Sequence, residues 1–147
     1  MANKAIKFEI VTPERVVLSR DIIQVTVPTT SGEITVLADH IPLVSILKPG
    51  VIEILLATSE REIISVSGGF IEVMREKIVI LADTAERAAE LDEQKIEEAK
   101  ARAEARKKEA VDIDDVQFAN ISAQLEKEMA RSKALSRWRR LKNIDSR

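Results

Sequence analysis

Cysteine is absent from this 147-residue chain, which excludes thiolate catalysis, cysteine-ligated zinc and disulfide stapling, and fits a reducing compartment. Histidine occurs once, at His40, a poor supply for a metal site or a serine triad. Long apolar runs are missing too. Stretches such as 78–82 fall far short of the roughly 20 residues a membrane-spanning helix needs, and Met1-Ala2-Asn3-Lys4 leads into alternating residues with no apolar leader. A soluble or peripherally bound protein, cytoplasmic by default, is expected. Neither sign of charge dominates: 23 basic against 25 acidic residues leave a net charge of -2, so no global attraction to nucleic acid or an anionic membrane exists. There is no glycine-rich phosphate loop and no dinucleotide glycine pattern.

Glycine and proline vanish part-way along the chain. All four Gly (32, 50, 68, 69) and all four Pro (13, 28, 42, 49) precede Thr84. Val, Ile and Thr make up 32 of the first 84 residues and 6 of the last 63. Stiff β-branched side chains suit a pleated, half-buried surface, so residues 1–84 are expected to form a sheet domain. Alternation at Ile6, Phe8 and Ile10, at Ile23, Val25 and Val27, and at Ile34 and Val36 supports this. Further short runs end at Pro49-Gly50, Gly68-Gly69 and Arg75-Glu76-Lys77, with no room for helical crossovers between them. The fold class expected is α+β with the two kinds segregated: an N-terminal all-β sandwich of about ten strands, then a C-terminal helical hairpin over residues 85–147.

The second segment has twelve Ala and no strong breaker. Asp83 with Glu86, and Asp114 with Gln117, have the spacing of helix starts, predicting antiparallel helices over about 86–110 and 115–142 around a turn at Val111-Asp112-Ile113. The seam between them pairs Ala85, Ala89, Ile96, Ala99, Ala103 and Ala110 with Phe118, Ile121, Leu125, Met129 and Leu135. An alanine face buries little at about 0.8 kcal/mol per CH2, so the hairpin is expected to open or redock readily. Charge divides as well: residues 85–128 carry 8 basic and 13 acidic side chains, residues 129–147 carry 7 and 1.

Candidate chemistry is sparse. His40 beside Pro42 reads as a loop or interface residue before it reads as a base. Asp112, Asp114 and Asp115 lack the glycine and the distal glutamate of a calcium loop, and read as helix caps. The basic end with Trp138 has no recognition fold or aromatic platform for nucleic acid, and an acidic protein partner complements it better.

Four motifs in register carry a family resemblance: Phe8-Glu9-Ile10-Val11-Thr12-Pro13-Glu14; His40-Ile41-Pro42-Leu43 followed by Leu47-Lys48-Pro49-Gly50; Ser67-Gly68-Gly69-Phe70-Ile71-Glu72-Val73; and Ile80-Leu81-Ala82-Asp83-Thr84-Ala85-Glu86. In order and spacing they resemble the bacterial F-type ATP synthase epsilon chain. The resemblance implies a non-catalytic rotor subunit on the cytoplasmic side of the inner membrane. Its partners would be the gamma subunit, the c-ring and the catalytic beta and alpha subunits, with no nucleic acid and no direct membrane insertion. It places Glu33, His40 and Pro42 on rotor-facing loops, although Ala38-Asp39 stands where relatives commonly have Pro-Gly. The C-terminal helices would restrain ATP hydrolysis, with Arg137, Trp138, Arg139, Arg140 and Lys142 making the inhibitory contact.

Many relatives bind ATP through Ile/Leu-Asp-x-x-Arg-Ala. Here the motif reads Leu91-Asp92-Glu93-Gln94-Lys95-Ile96, losing the two-pronged guanidinium and the small residue. No cofactor is expected, and ATP binding is expected to be weak or absent; Asp92, Lys95, Arg102, Lys127 and Arg131 are the candidates if it occurs. Two rival readings are a free-standing adaptor that recruits acidic partners and a small hydrolase centred on His40.

Overall fold

The computed structural model describes residues 3–110 and 112–145. Met1, Ala2, Val111, Ser146 and Arg147 lie outside the described residues, and with them part of the expected turn and the outermost ends of both expected segments.

Alternation decides the first strand: β1 (Ile6–Val11) turns Ile6, Phe8 and Ile10 into the core and Lys7 outward. β2 (Val16–Thr29) is long enough to serve both layers of a sandwich. Its first half pairs with β1, and its second half with β3 (Gly32–Leu37) and β5 (Gly50–Leu56). One layer continues from β1 through β8 (Lys77–Ala82) and β7 (Gly69–Val73) to β4 (Leu43–Leu47). The other continues from β5 through β6 (Arg61–Val66) to β9 (Ala85–Arg87). Nine strands are thus present among the described residues, where the sequence suggested about ten. The β1–β8 pairing is parallel. Between the layers lies the core of Phe8, Ile10, Ile22, Val25, Ile54, Ile71, Ile78, Ile80 and their neighbours.

Gly69 explains part of the double glycine. A Cβ there would lie 2.1 Å from the Leu81 carbonyl oxygen, and its φ of +133° is open to glycine alone. The β7 and β8 backbones approach so closely that no side chain fits.

The first helix starts later than expected. Ala85, Glu86 and Arg87 pair with Val66, Ser65 and Ile64, so the segment that Asp83 was expected to cap is a strand. Burial wins over capping here: Ala85 and Ala88 have 6% and 0% of their surface exposed, and β9 covers an edge of β6 that would otherwise stand open. A 3-10 turn, Ala88–Glu90, follows. Asp92 then caps α1 (Glu93–Glu109), its Oδ1 accepting from the backbone N of Gln94 at 3.0 Å and of Lys95 at 3.3 Å. α2 (Asp115–Asp145) opens where the spacing said, with Asp114 Oδ1 accepting from the backbone N of Gln117 at 2.7 Å.

The hairpin seam is shorter than the sequence stripe. Ile96, Ala103, Ile121 and Leu135 are buried, whereas Ala85 belongs to the sandwich core and Phe118 and Met129 are exposed. A second, smaller core holds α2 down on the sandwich: Val51 and Ile63 of β5 and β6 meet Ala88 and Ala134, with Leu91, Trp138 and Leu141 packed around them.

Candidate functional surfaces

The outer face of the β4–β7–β8 layer is apolar where water should meet it. Ile46 lies opposite Phe70, and Phe70 opposite Leu81, so three side chains form one cross-strand row that is 54%, 51% and 52% exposed. Val44 stands in the next row, opposite Glu72. Ile41 and Met74 are also exposed. A contiguous exposed apolar face of this kind marks a protein-docking site. Single-residue motif searching missed it. Its signal was present in runs such as Val44-Ser45-Ile46-Leu47 and Ile78-Val79-Ile80-Leu81-Ala82, which are apolar on both faces of the strand and so indicate cover on both sides.

The three residues expected on rotor-facing loops do not converge. Glu33 is the second residue of β3, while His40 and Pro42 lie in the loop beyond its other end; at about 3.3 Å per residue, Glu33 and Leu37 alone are roughly 13 Å apart. Within that loop, Asp39 takes φ +65°, a left-handed conformation that Asp tolerates better than most side chains. Lys4 Nζ donates to Asp39 Oδ1 at 2.8 Å. His40 is held by backbone: its N donates to the Leu37 carbonyl at 3.3 Å, and its Nδ1 lies 2.7 Å from the Ile41 carbonyl oxygen. No hydroxyl or carboxylate among the described residues hydrogen-bonds the ring, so the hydrolase reading has no nucleophile–base pair to stand on.

Of the possible nucleotide residues, Asp92, Lys95 and Arg131 share one cleft of ≈ 260 Å³, lined also by Glu86, Glu90, Leu91, Ile96 and Glu128. Arg102 and Lys127 are not part of its lining. Four carboxylates surround two cations there, and Arg131 is already bound to the carboxylates of Glu86 and, at 2.7 Å, Glu128. Asp92 is occupied as the α1 cap. Phosphate groups would meet an excess of negative charge. Beside Glu86 on β9, Arg87 Nε donates to Glu62 at 3.2 Å. That hydrogen bond, aided by the charges of Glu62 and Glu90 and opposed by burial, raises the guanidinium pKa above its ordinary value, tying β9 to β6.

The basic end is divided among different environments. Trp138 packs into the small core between α2 and the sandwich, with Lys142 Nζ 4.5 Å from its ring centre. Arg139 pairs with Glu93 of α1 at 2.9 Å. Arg137 lines a cleft shared with the sandwich, and Arg140 is exposed. Among the described residues, no helix is long and apolar enough to cross a membrane.

The sandwich defines a class: the sequence pattern of the β-sandwich domain of the ATP synthase delta/epsilon chain matches residues 5–88. An ATP synthase epsilon chain from Chloroflexus aggregans is 48% identical over 86% of this chain and 88% of its own length. Another from Dichelobacter nodosus is 52% identical over 65% of this chain and 66% of its own. The chain belongs to the ATP synthase epsilon chain family. Among solved structures, one chain of the Euglena gracilis mitochondrial ATP synthase, in an assembly of OSCP, F1 and c-ring, matches with a TM-score of 0.76 at 25% identity, over 89% of this chain and 81% of that one. A chain of the Tetrahymena thermophila central stalk and c-ring shares the fold, with a TM-score of 0.64 at 14% identity, over 92% of this chain and 99% of that one.

Proposed function

We propose that this chain is a non-catalytic central-stalk subunit of an F-type ATP synthase, on the cytoplasmic side of the inner membrane, that couples gamma to the c-ring and restrains ATP hydrolysis through its helices. The observation that carries the reading is the exposed row Ile46, Phe70 and Leu81 on a β-sandwich of this family. Gamma is the partner assigned to that face. The β2–β3 end of the sandwich, with Glu33 at the start of β3, is assigned to the c-ring, and the loop of Ile41 and Pro42 extends the gamma contact. Inhibition requires α2 to leave the sandwich and present Arg137, Trp138, Arg139, Arg140 and Lys142 to the catalytic subunits. Two supports stand behind this. The core beneath α2 is small, and most of the chain's clustered positive charge lies in the last turns of α2.

The test is recovery of partners: a tagged chain drawn from its native membrane should bring gamma and c-ring subunits with it. Recovery of acidic proteins unrelated to the synthase, and of no rotor subunit, would favour the adaptor reading instead.

A further inference from the structure

Between the end of the sandwich and the flank of α2 lies a second cleft of ≈ 500 Å³, within the roughly 300–1,000 Å³ range of small-molecule sites. It is separate from the acidic cleft of Asp92 and Arg131, and the two share no lining residue. Its apolar wall comes from both domains: Pro28, Pro49 and Val51 from the sandwich, Met129 and Ala130 from α2. Met129 is half-exposed there, although a flexible thioether facing water gains nothing from that position.

Three cations also line the cleft, Lys48 from the β4–β5 turn and Lys133 and Arg137 from successive turns of α2. Glu33 and Glu126 also line the cleft. Even so, none of the three cations comes within salt-bridge distance of a carboxylate among the described residues. Three cations against two carboxylates leave the cleft with one positive charge in excess. An Arg fork and two ammonium groups above an apolar wall are the chemistry that receives a phosphate monoanion or dianion joined to an apolar body.

We infer that this cleft binds an anionic amphiphile of the phospholipid type, its phosphate among Lys48, Lys133 and Arg137 and its apolar part against Met129, Pro49 and Val51. A ligand seated there touches the sandwich and α2 at once, so it holds the hairpin down by mass action. The choice of a lipid over another phosphate ester rests on the proposed function, in which Glu33, part of this cleft's lining, faces the c-ring.

The experiment is calorimetric titration of the full chain with dihexanoyl phosphatidic acid below its micelle concentration, beside inorganic phosphate at matched ionic strength. Saturable binding of the amphiphile is expected, at least tenfold tighter than phosphate. It should fall at least tenfold in Lys133→Glu/Arg137→Glu and several-fold in Met129→Gln. All three positions are on the surface of α2, and circular dichroism of each variant checks that the fold is kept. No saturable binding, binding no tighter than phosphate, or binding unchanged by the double reversal would each overturn the inference. Because the isolated chain is used, failure here leaves gamma docking untested by this measurement and standing on its own partner-recovery assay.

Discussion

Arg131 in the middle of α2 is ion-paired to Glu86 on β9, the last strand of the sandwich. The same guanidinium donates to Glu128 at 2.7 Å, a residue with 4% of its surface exposed. Glu128 Oε2 has no hydrogen-bond partner of its own, so Arg131 is what makes a buried carboxylate tolerable. One side chain therefore joins the helical hairpin to the domain it rests on.

Arg131→Ala should loosen the docked hairpin by about 1.5–3 kcal/mol, the worth of hydrogen bonds to charged groups, and Glu128→Gln on that background should recover part of the loss. Trp138, the chain's single tryptophan, packs in the docking core and reports the transition by fluorescence during chemical denaturation. An unchanged Trp138 transition in Arg131→Ala would show that the ion pairs contribute nothing to docking.

The domain boundary sets a second outcome. A fragment ending at Glu90 keeps β9 and should unfold cooperatively, because the main core needs nothing from α1 or α2. A fragment ending at Thr84 loses Ala85, Ala88 and the pairing of β9 with β6, and should be less stable by about 2–4 kcal/mol on the scale of buried-group loss. Equal denaturation midpoints for the two fragments would contradict the role given to β9.

That boundary also marks where sequence reading stops. Period-two alternation over residues 6–10, 23–27 and 34–36 gave the strands directly, and the loss of Gly and Pro gave the helical segment. Asp83-Thr84-Ala85-Glu86 offered the helix start, whereas Asp92 caps α1; the difference is a tertiary term, the open edge of β6. The same holds for the candidate sites. Asp92, Lys95 and Arg131 were named from the family resemblance, but the neutralisation of Arg131 by Glu86 depends on a contact 45 residues distant. The division of the basic end between core, hairpin and solvent is likewise a packing outcome that charge counting does not contain.

Nucleotide binding follows from that neutralisation. Calorimetry with micromolar ATP should show no saturable heat, since the cleft around Arg131 holds four carboxylates against two cations. Asp92→Ala should act as the loss of a helix cap, costing about 1 kcal/mol, with no effect on any ATP signal. Micromolar binding that Asp92→Ala abolishes would reverse this account.

Gamma docking should depend on the apolar row. Phe70→Glu places a charge at the centre of the exposed face without touching the core, so the chain should fold normally and lose binding to purified gamma by at least about 2 kcal/mol, the scale of an interface hot spot. Gamma binding by Phe70→Glu that equals that of the parent chain would move the interface elsewhere.

Restraint of hydrolysis is the central claim, and steady-state ATPase activity of reconstituted complexes tests it most directly. Moving a two-state hairpin from 1:99 to 99:1 needs about 5.5 kcal/mol of differential binding, more than exposed charge pairs at about 0.2–1 kcal/mol each supply from four residues. Apolar burial of Leu135, Trp138 and Leu141 in the extended state must add to it, and Trp138→Ala therefore weakens both states. Arg140 is exposed and absent from every ion pair among the described residues, so Arg140→Glu affects the extended state alone. Complexes carrying a chain without residues 129–147 should hydrolyse ATP faster than complexes with the full chain, and Arg140→Glu should give a smaller rise that shrinks at high ionic strength. Hydrolysis unchanged by the truncation at both low and high salt would contradict the account and leave the basic end of α2 as a solvated helix terminus.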